Sequence, residues 1–139
     1  MRGAPGPLLL VTALLLALPA CGGGDEAGLE LRLAEQNGSG QSGSATLTPA
    51  DEGQTTIVIA LASAPAEPQP AHVHDGTCDD IGDVVAPLES LVEGASETTV
   101  PVPLEELRRG DLIVHAHKSE AELDVSVACA PIPVGDLEE

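Results

Sequence analysis

Ala71-His72-Val73-His74-Asp75-Gly76-Thr77-Cys78, residues 71–78, decides how this chain is read. The run is short, strand-like and halted by a glycine, as a β-strand entering a turn is. Residues i and i+2 of a strand project from one face, so His72 and His74 present two imidazoles together. Leu112-Ile113-Val114-His115-Ala116-His117 repeats the arrangement with His115 and His117, and the chain's four histidines are all in these two pairs. Neutral imidazole suits copper and zinc. Two such strands, if adjacent, can build a site of three or four nitrogens from His72, His74, His115 and His117. The alternative is that the histidines are partly exposed strand residues or satisfied polar core positions. Asp75, Asp79 and Asp80 either orient the imidazoles as hydrogen-bond acceptors or are solvated loop charge.

Outward from these pairs, short apolar runs alternate with turn chemistry. Leu29, Leu31 and Leu33 alternate with Glu30 and Arg32, which predicts a strand with one buried face. Further strands are predicted at 45–48, at 55–62, where β-branched residues dominate, at 87–92, at 97–102 and at 112–117. The last, 124–130, sets Val125 and Val127 against Ser126 and Ala128. The stretch 64–70 holds three prolines and is not expected to pair; residues 79–87 read as an acidic loop, and 104–108 as one helical turn. About eight strands spaced near ten residues argue for an all-β Greek-key sandwich or barrel.

The N-terminus carries an export signal. Arg2 precedes an eleven-residue apolar run from Leu8 to Leu18, too short to span a bilayer and of signal-peptide length. It leads into Leu18-Pro19-Ala20-Cys21, which resembles a bacterial lipobox. The expected organisation is a signal peptide at 1–20, lipid on Cys21, a Gly-rich tether at 21–28, the β-domain at 29–134 and an acidic tail at 135–139. Acyl chains partition into a bilayer at about 0.8 kcal/mol per buried CH₂, so the domain is expected to be held at the extracytoplasmic face of a membrane.

Past residue 20, four basic residues against 23 acidic ones leave a formal charge of −19. Such a surface repels polyanions and excludes nucleic-acid binding. There is no Phe, Tyr or Trp, so the core must be built from Val, Ile, Leu and Ala. With Cys21 assigned to lipid, Cys78 and Cys129 remain. In an oxidising compartment they either bridge or stand as a free or metal-bound thiol pair. A bridge would be worth roughly 4 kcal/mol in the chain-entropy picture.

Taken in order, Ala71-His72-Val73-His74, Cys78, Leu112-Ile113-Val114-His115 and Val127-Ala128-Cys129 resemble Cu/Zn superoxide dismutase, and also bacterial superoxide-dismutase-like lipoproteins and chordin-type domains. The resemblance covers roughly residues 29–132. It implies a β-sandwich, a Cys78–Cys129 bridge, and copper held by His72, His74 and His115, with His117 lacking a counterpart. It also implies a defective site. The segment after Cys78 has no histidine, so no zinc subsite is expected, and Ser126 stands where the family places a substrate-guiding arginine. A surface this acidic opposes superoxide steering. Three functions follow: a copper-binding lipoprotein, a structural or interaction module at the cell surface without metal, and a copper-only superoxide dismutase. The departures weigh against the last.

Overall fold

The computed structural model describes Gly3 and residues 28–135. The expected signal peptide apart from Gly3, the expected lipid site Cys21, most of the expected tether and residues 136–139 lie outside the described residues. Eight strands form one antiparallel sheet: β1 (Leu29–Glu35), β2 (Ser42–Ala50), β3 (Gln54–Ala62), β4 (Gln69–Gly76), β5 (Ile81–Leu91), β6 (Ala95–Val100), β7 (Leu112–Ser119) and β8 (Glu122–Pro131). Their order is β5-β4-β7-β8-β1-β2-β3-β6. The two outer strands turn toward each other, where the Glu89 amide donates to Thr98 Oγ1 at 2.8 Å. The sheet is therefore a nearly closed barrel of two halves, β6-β3-β2-β1 and β5-β4-β7-β8, joined where Ala34 and Glu35 pair with Cys129 and Ala128.

Alternation produces the barrel interior. Leu31, Leu33, Leu47, Ile57, Ile59 and Val73 fill it with branched aliphatic side chains and no aromatic ring. The predicted helical turn is α1 (Leu104–Leu107), whose Leu107 is fully buried. Gly43 lies where three strands meet, paired with Leu33 on one side and Leu61 on the other. A Cβ there would run into the Ala60 carbonyl, which is backbone and cannot swing aside. Gly43→Ala is expected to lower unfolding free energy by roughly 1–3 kcal/mol, the usual cost of forcing a packed core apart. A urea midpoint unchanged from that of the native chain would show that the sheet yields there.

Three sequence expectations are corrected. The segment 79–87 is mostly strand: β5 begins at Ile81, and only Thr77–Asp80 make the turn, closed by reciprocal backbone hydrogen bonds of 3.1 Å. Ile81, Val84 and Val85 supply the β-branched content. At the edge of the sheet, charge such as Asp83 faces solvent without cost. The unpaired proline-rich stretch also ends sooner than its prolines suggest, because β4 starts at Gln69; the β4–β5 register slips between Gln69 and Ala71, so Pro70 occupies the irregularity. The third correction concerns β8. Its pairing with β7 steps from Ala116↔Ala128 to His117↔Ser126, leaving Val127 as the extra residue of a bulge. Val127 and Ala128 consequently both join the core, and Ser126 moves to the opposite face.

Candidate metal centre

β4 and β7 are hydrogen-bonded neighbours, with His72 opposite His115 and His74 opposite Ile113. Ala71, Val73, Val114 and Ala116 point into the core. The alternate residues therefore bring all four histidines onto the outer face of the barrel wall. Ile113 and Cys129 are buried there yet stand apart from the core cluster.

Cys78 and Cys129 are bridged, with Cα atoms 5.9 Å apart. Cys129 is the β8 partner of His115, so the bridge fastens the Thr77–Asp80 turn beside the histidines. Gly76 enters this turn at φ +103°, a value natural only to glycine, and its amide donates to Asp111 O at 2.7 Å. Just past the turn, Gly82 offers its carbonyl to His74 Nδ1 at 3.0 Å. The Leu123 carbonyl, on β8, receives His117 Nδ1 at 2.6 Å. A carbonyl oxygen only accepts, so Nδ1 carries the proton in both rings and Nε2 is left with its lone pair.

The ring nitrogens converge, and because His117 Nε2 carries no proton, His72 Nδ1 donates to it; that proton is the one an ion would displace. His72 Nδ1 lies 2.8 Å and His74 Nε2 3.4 Å from His117 Nε2. One nitrogen from each of His72, His74 and His117 falls within 4.8 Å of the others. Nitrogens bound to one ion at about 2.0–2.1 Å sit at separations of this order. The donor set is therefore all-nitrogen, with two of its rings held by backbone carbonyls. Asp75, Asp79 and Asp80 do not orient these rings; the acceptors that do are the main-chain oxygens of Gly82 and Leu123.

His115 stands apart from this group. Its ring centre is 4.2 Å from that of His117 and 5.2 Å from that of His74, but its Nε2 is 2.6 Å from Ser126 Oγ and its Nδ1 is buried without a partner. The resemblance implies His115 as the late copper ligand and leaves His117 without a role, whereas the geometry groups His117 with His72 and His74. The only sequence signal pointing to His117 is its His-x-His spacing.

Burial favours the neutral form of three of the rings, His72, His115 and His117. Burial, followed by repulsion from His117, His74 and His72, pushes His115 down to about 3. His72 is lowered by burial and then by His117 and His74. His117 is lowered by burial above all, partly offset by its bond to the Leu123 carbonyl. A neutral imidazole is the form that binds a metal, so little proton competition is expected at pH 7.

No family model matches the chain, and no curated protein matches it in sequence. Among solved structures it is similar to superoxide dismutase 5 of Candida albicans. With the copper(II) form the TM-score is 0.59 at 18% identity, over 82% of this chain and 95% of that one. With an Asp-to-Asn mutant of the same protein it is 0.58 at 19% identity, over 81% and 95%. The eight-stranded antiparallel barrel of this chain, with three histidines gathered on its outer wall, is thus a superoxide-dismutase-like fold.

Proposed function

We propose that this chain is a membrane-anchored, extracytoplasmic copper-binding protein, taking one ion at His72 Nδ1, His74 Nε2 and His117 Nε2. The observation that carries the reading is the convergence of these three nitrogens, with the remaining N–H of His74 and His117 each already committed to a carbonyl. Imidazole donors suit copper, zinc, iron and nickel alike, and of these divalent ions copper(II) binds a given nitrogen site most tightly; the similar dismutase is described in a copper(II) form. The lipobox-like Leu18-Pro19-Ala20-Cys21 supports the anchor. The Cys78–Cys129 bridge supports an oxidising compartment.

When bound, copper would supply a redox-active Lewis acid. The chain's own residues favour neutral His72 and His117 by burial, and fix the rings of His74 and His117 through the Gly82 and Leu123 carbonyls. The test is calorimetric titration of the full-length chain with Cu(II), and separately with Zn(II), beside His74→Ala and His117→Ala. One saturable copper equivalent, lost in both variants, is the expected result. Saturable uptake that survives both substitutions, or none in the native chain, would sink the reading and leave a metal-free cell-surface module in its place.

The likeness to a copper dismutase favours superoxide dismutation as a second reading. Ser126, where the family resemblance expects an arginine, and a charge of −19 past residue 20 oppose anion approach. A superoxide-decay assay on the copper-loaded chain separates the two readings.

A further inference from the structure

We propose, building on the copper reading above, that Ser126 withholds His115 from the metal and so fixes the site at three imidazoles although a fourth lies beside it. Only His72, His74 and His117 form the converging group, yet His115 is almost fully buried and its ring touches that of His117. What keeps it out is the 2.6 Å bond between His115 Nε2 and Ser126 Oγ. That bond can be made in two ways, and both occupy Nε2. If Nε2–H donates to the hydroxyl, the nitrogen has no lone pair to give. If the hydroxyl donates to Nε2, the lone pair points at Ser126, outside the group, whereas the bond between His72 and His117 lies inside the group and an ion would take the place of its proton. The other nitrogen, Nδ1, has no partner at all and does not reach the group.

Ser126 is itself held from three directions. The β8 bulge at Val127 turns its side chain to the histidine face. Its carbonyl receives Asn37 Nδ2 at 3.0 Å. The next carbonyl, Val127 O, receives the Gln36 amide at 2.9 Å and Ser39 Oγ at 2.6 Å. The turn between β1 and β2 therefore braces Ser126 against the barrel wall, and through it the ring of His115. Ser126 is thus a positioning residue, and its hydroxyl is what a mutation can remove with little loss of volume.

The experiment is pulsed EPR on the Cu(II)-loaded full-length chain, counting coordinated imidazoles by their remote nitrogens. Native chain, Ser126→Thr and His115→Gln should each show three, and Ser126→Ala should show four. Four in the native chain, or two in His115→Gln, overturns the inference while leaving copper binding intact. Failure to take up copper at all overturns the functional reading, which calorimetry reports independently. A metal-free measurement guards against a variant that fails to load. In ¹⁵N-detected spectra of the histidine rings, Ser126→Ala should shift the nitrogens of His115 and leave those of His74 in place. Unmoved His115 nitrogens would show that the hydroxyl does not hold the ring, and would overturn the inference without reference to any metal.

Discussion

Replacing Cys78 and Cys129 together by alanine is expected to remove about 4 kcal/mol of unfolding free energy. The bridge joins residues 51 apart in sequence, and the chain-entropy relation assigns a loop of that size roughly this value. The loss matters because small domains hold only about 5–15 kcal/mol in total. The core here is aliphatic throughout, with no aromatic side chain to add buried area. The bridge also fixes the turn at Thr77–Asp80 that leads to Gly82, whose carbonyl orients His74. The double variant should therefore lose copper affinity as well as stability, since removing a group that orients a ligand typically costs about 10–100-fold. Urea unfolding of the oxidised chain, the reduced chain and the double variant measures the first effect, and copper titration of the still-folded variant measures the second. A stability loss under about 1 kcal/mol would mean that the β7–β8 and β4–β5 pairings already hold the turn.

Acid should destabilise the metal-free chain by about 2–4 kcal/mol between pH 7 and pH 4. Three of the four histidines are lowered from the ordinary value, His115 to about 3. The folded chain keeps these rings neutral, whereas the unfolded chain protonates them near pH 6.5. Below that point the unfolded state binds more protons, so stability falls with falling pH. It is fully present above pH 6.5 and drains away toward pH 3 as His115 is finally charged. Each such group sets a slope of at most about 1.4 kcal/mol per pH unit. His72 is only half-buried, so solvent reduces this for it, which is why the total is placed below the sum of the limiting slopes. Chemical unfolding in the presence of a chelator, repeated across this range, gives the curve. His115→Leu should flatten it, because an apolar side chain in the same place has nothing to protonate. Parallel curves for the native chain and His115→Leu would contradict histidine burial as the cause. Copper should shift the native curve upward and steepen it, since the ion binds only the folded, neutral site.

Much of the fold is legible in the residues alone. The alternation of Leu29, Leu31 and Leu33, the β-branched run at 55–62 and the turn residues between them set the all-β class and the strand number, because strand periodicity and turn chemistry are local properties. The two His-x-His pairs place each pair of imidazoles on one face for the same reason. The pairing of Cys78 with Cys129 stays open in the residues themselves; the family resemblance favours it and the structure shows it. Residues 79–87 read as loop because their acids and glycine outweigh Ile81, Val84 and Val85. An edge strand tolerates such residues, but whether a strand is at the edge is not written in its own sequence.

Local chemistry thus yields an inventory: eight strands, two histidine pairs, two cysteines free to join. Which of these parts meet is settled by packing in three dimensions. The bulge at Val127 exists because β8 must match the register of β7, and no residue in β8 announces it; yet it is this extra residue that carries Ser126 across to His115. The groups that orient His74 and His117 are main-chain carbonyls of Gly82 and Leu123. Every residue has such a carbonyl, so only the path of the chain in space can give these two their role.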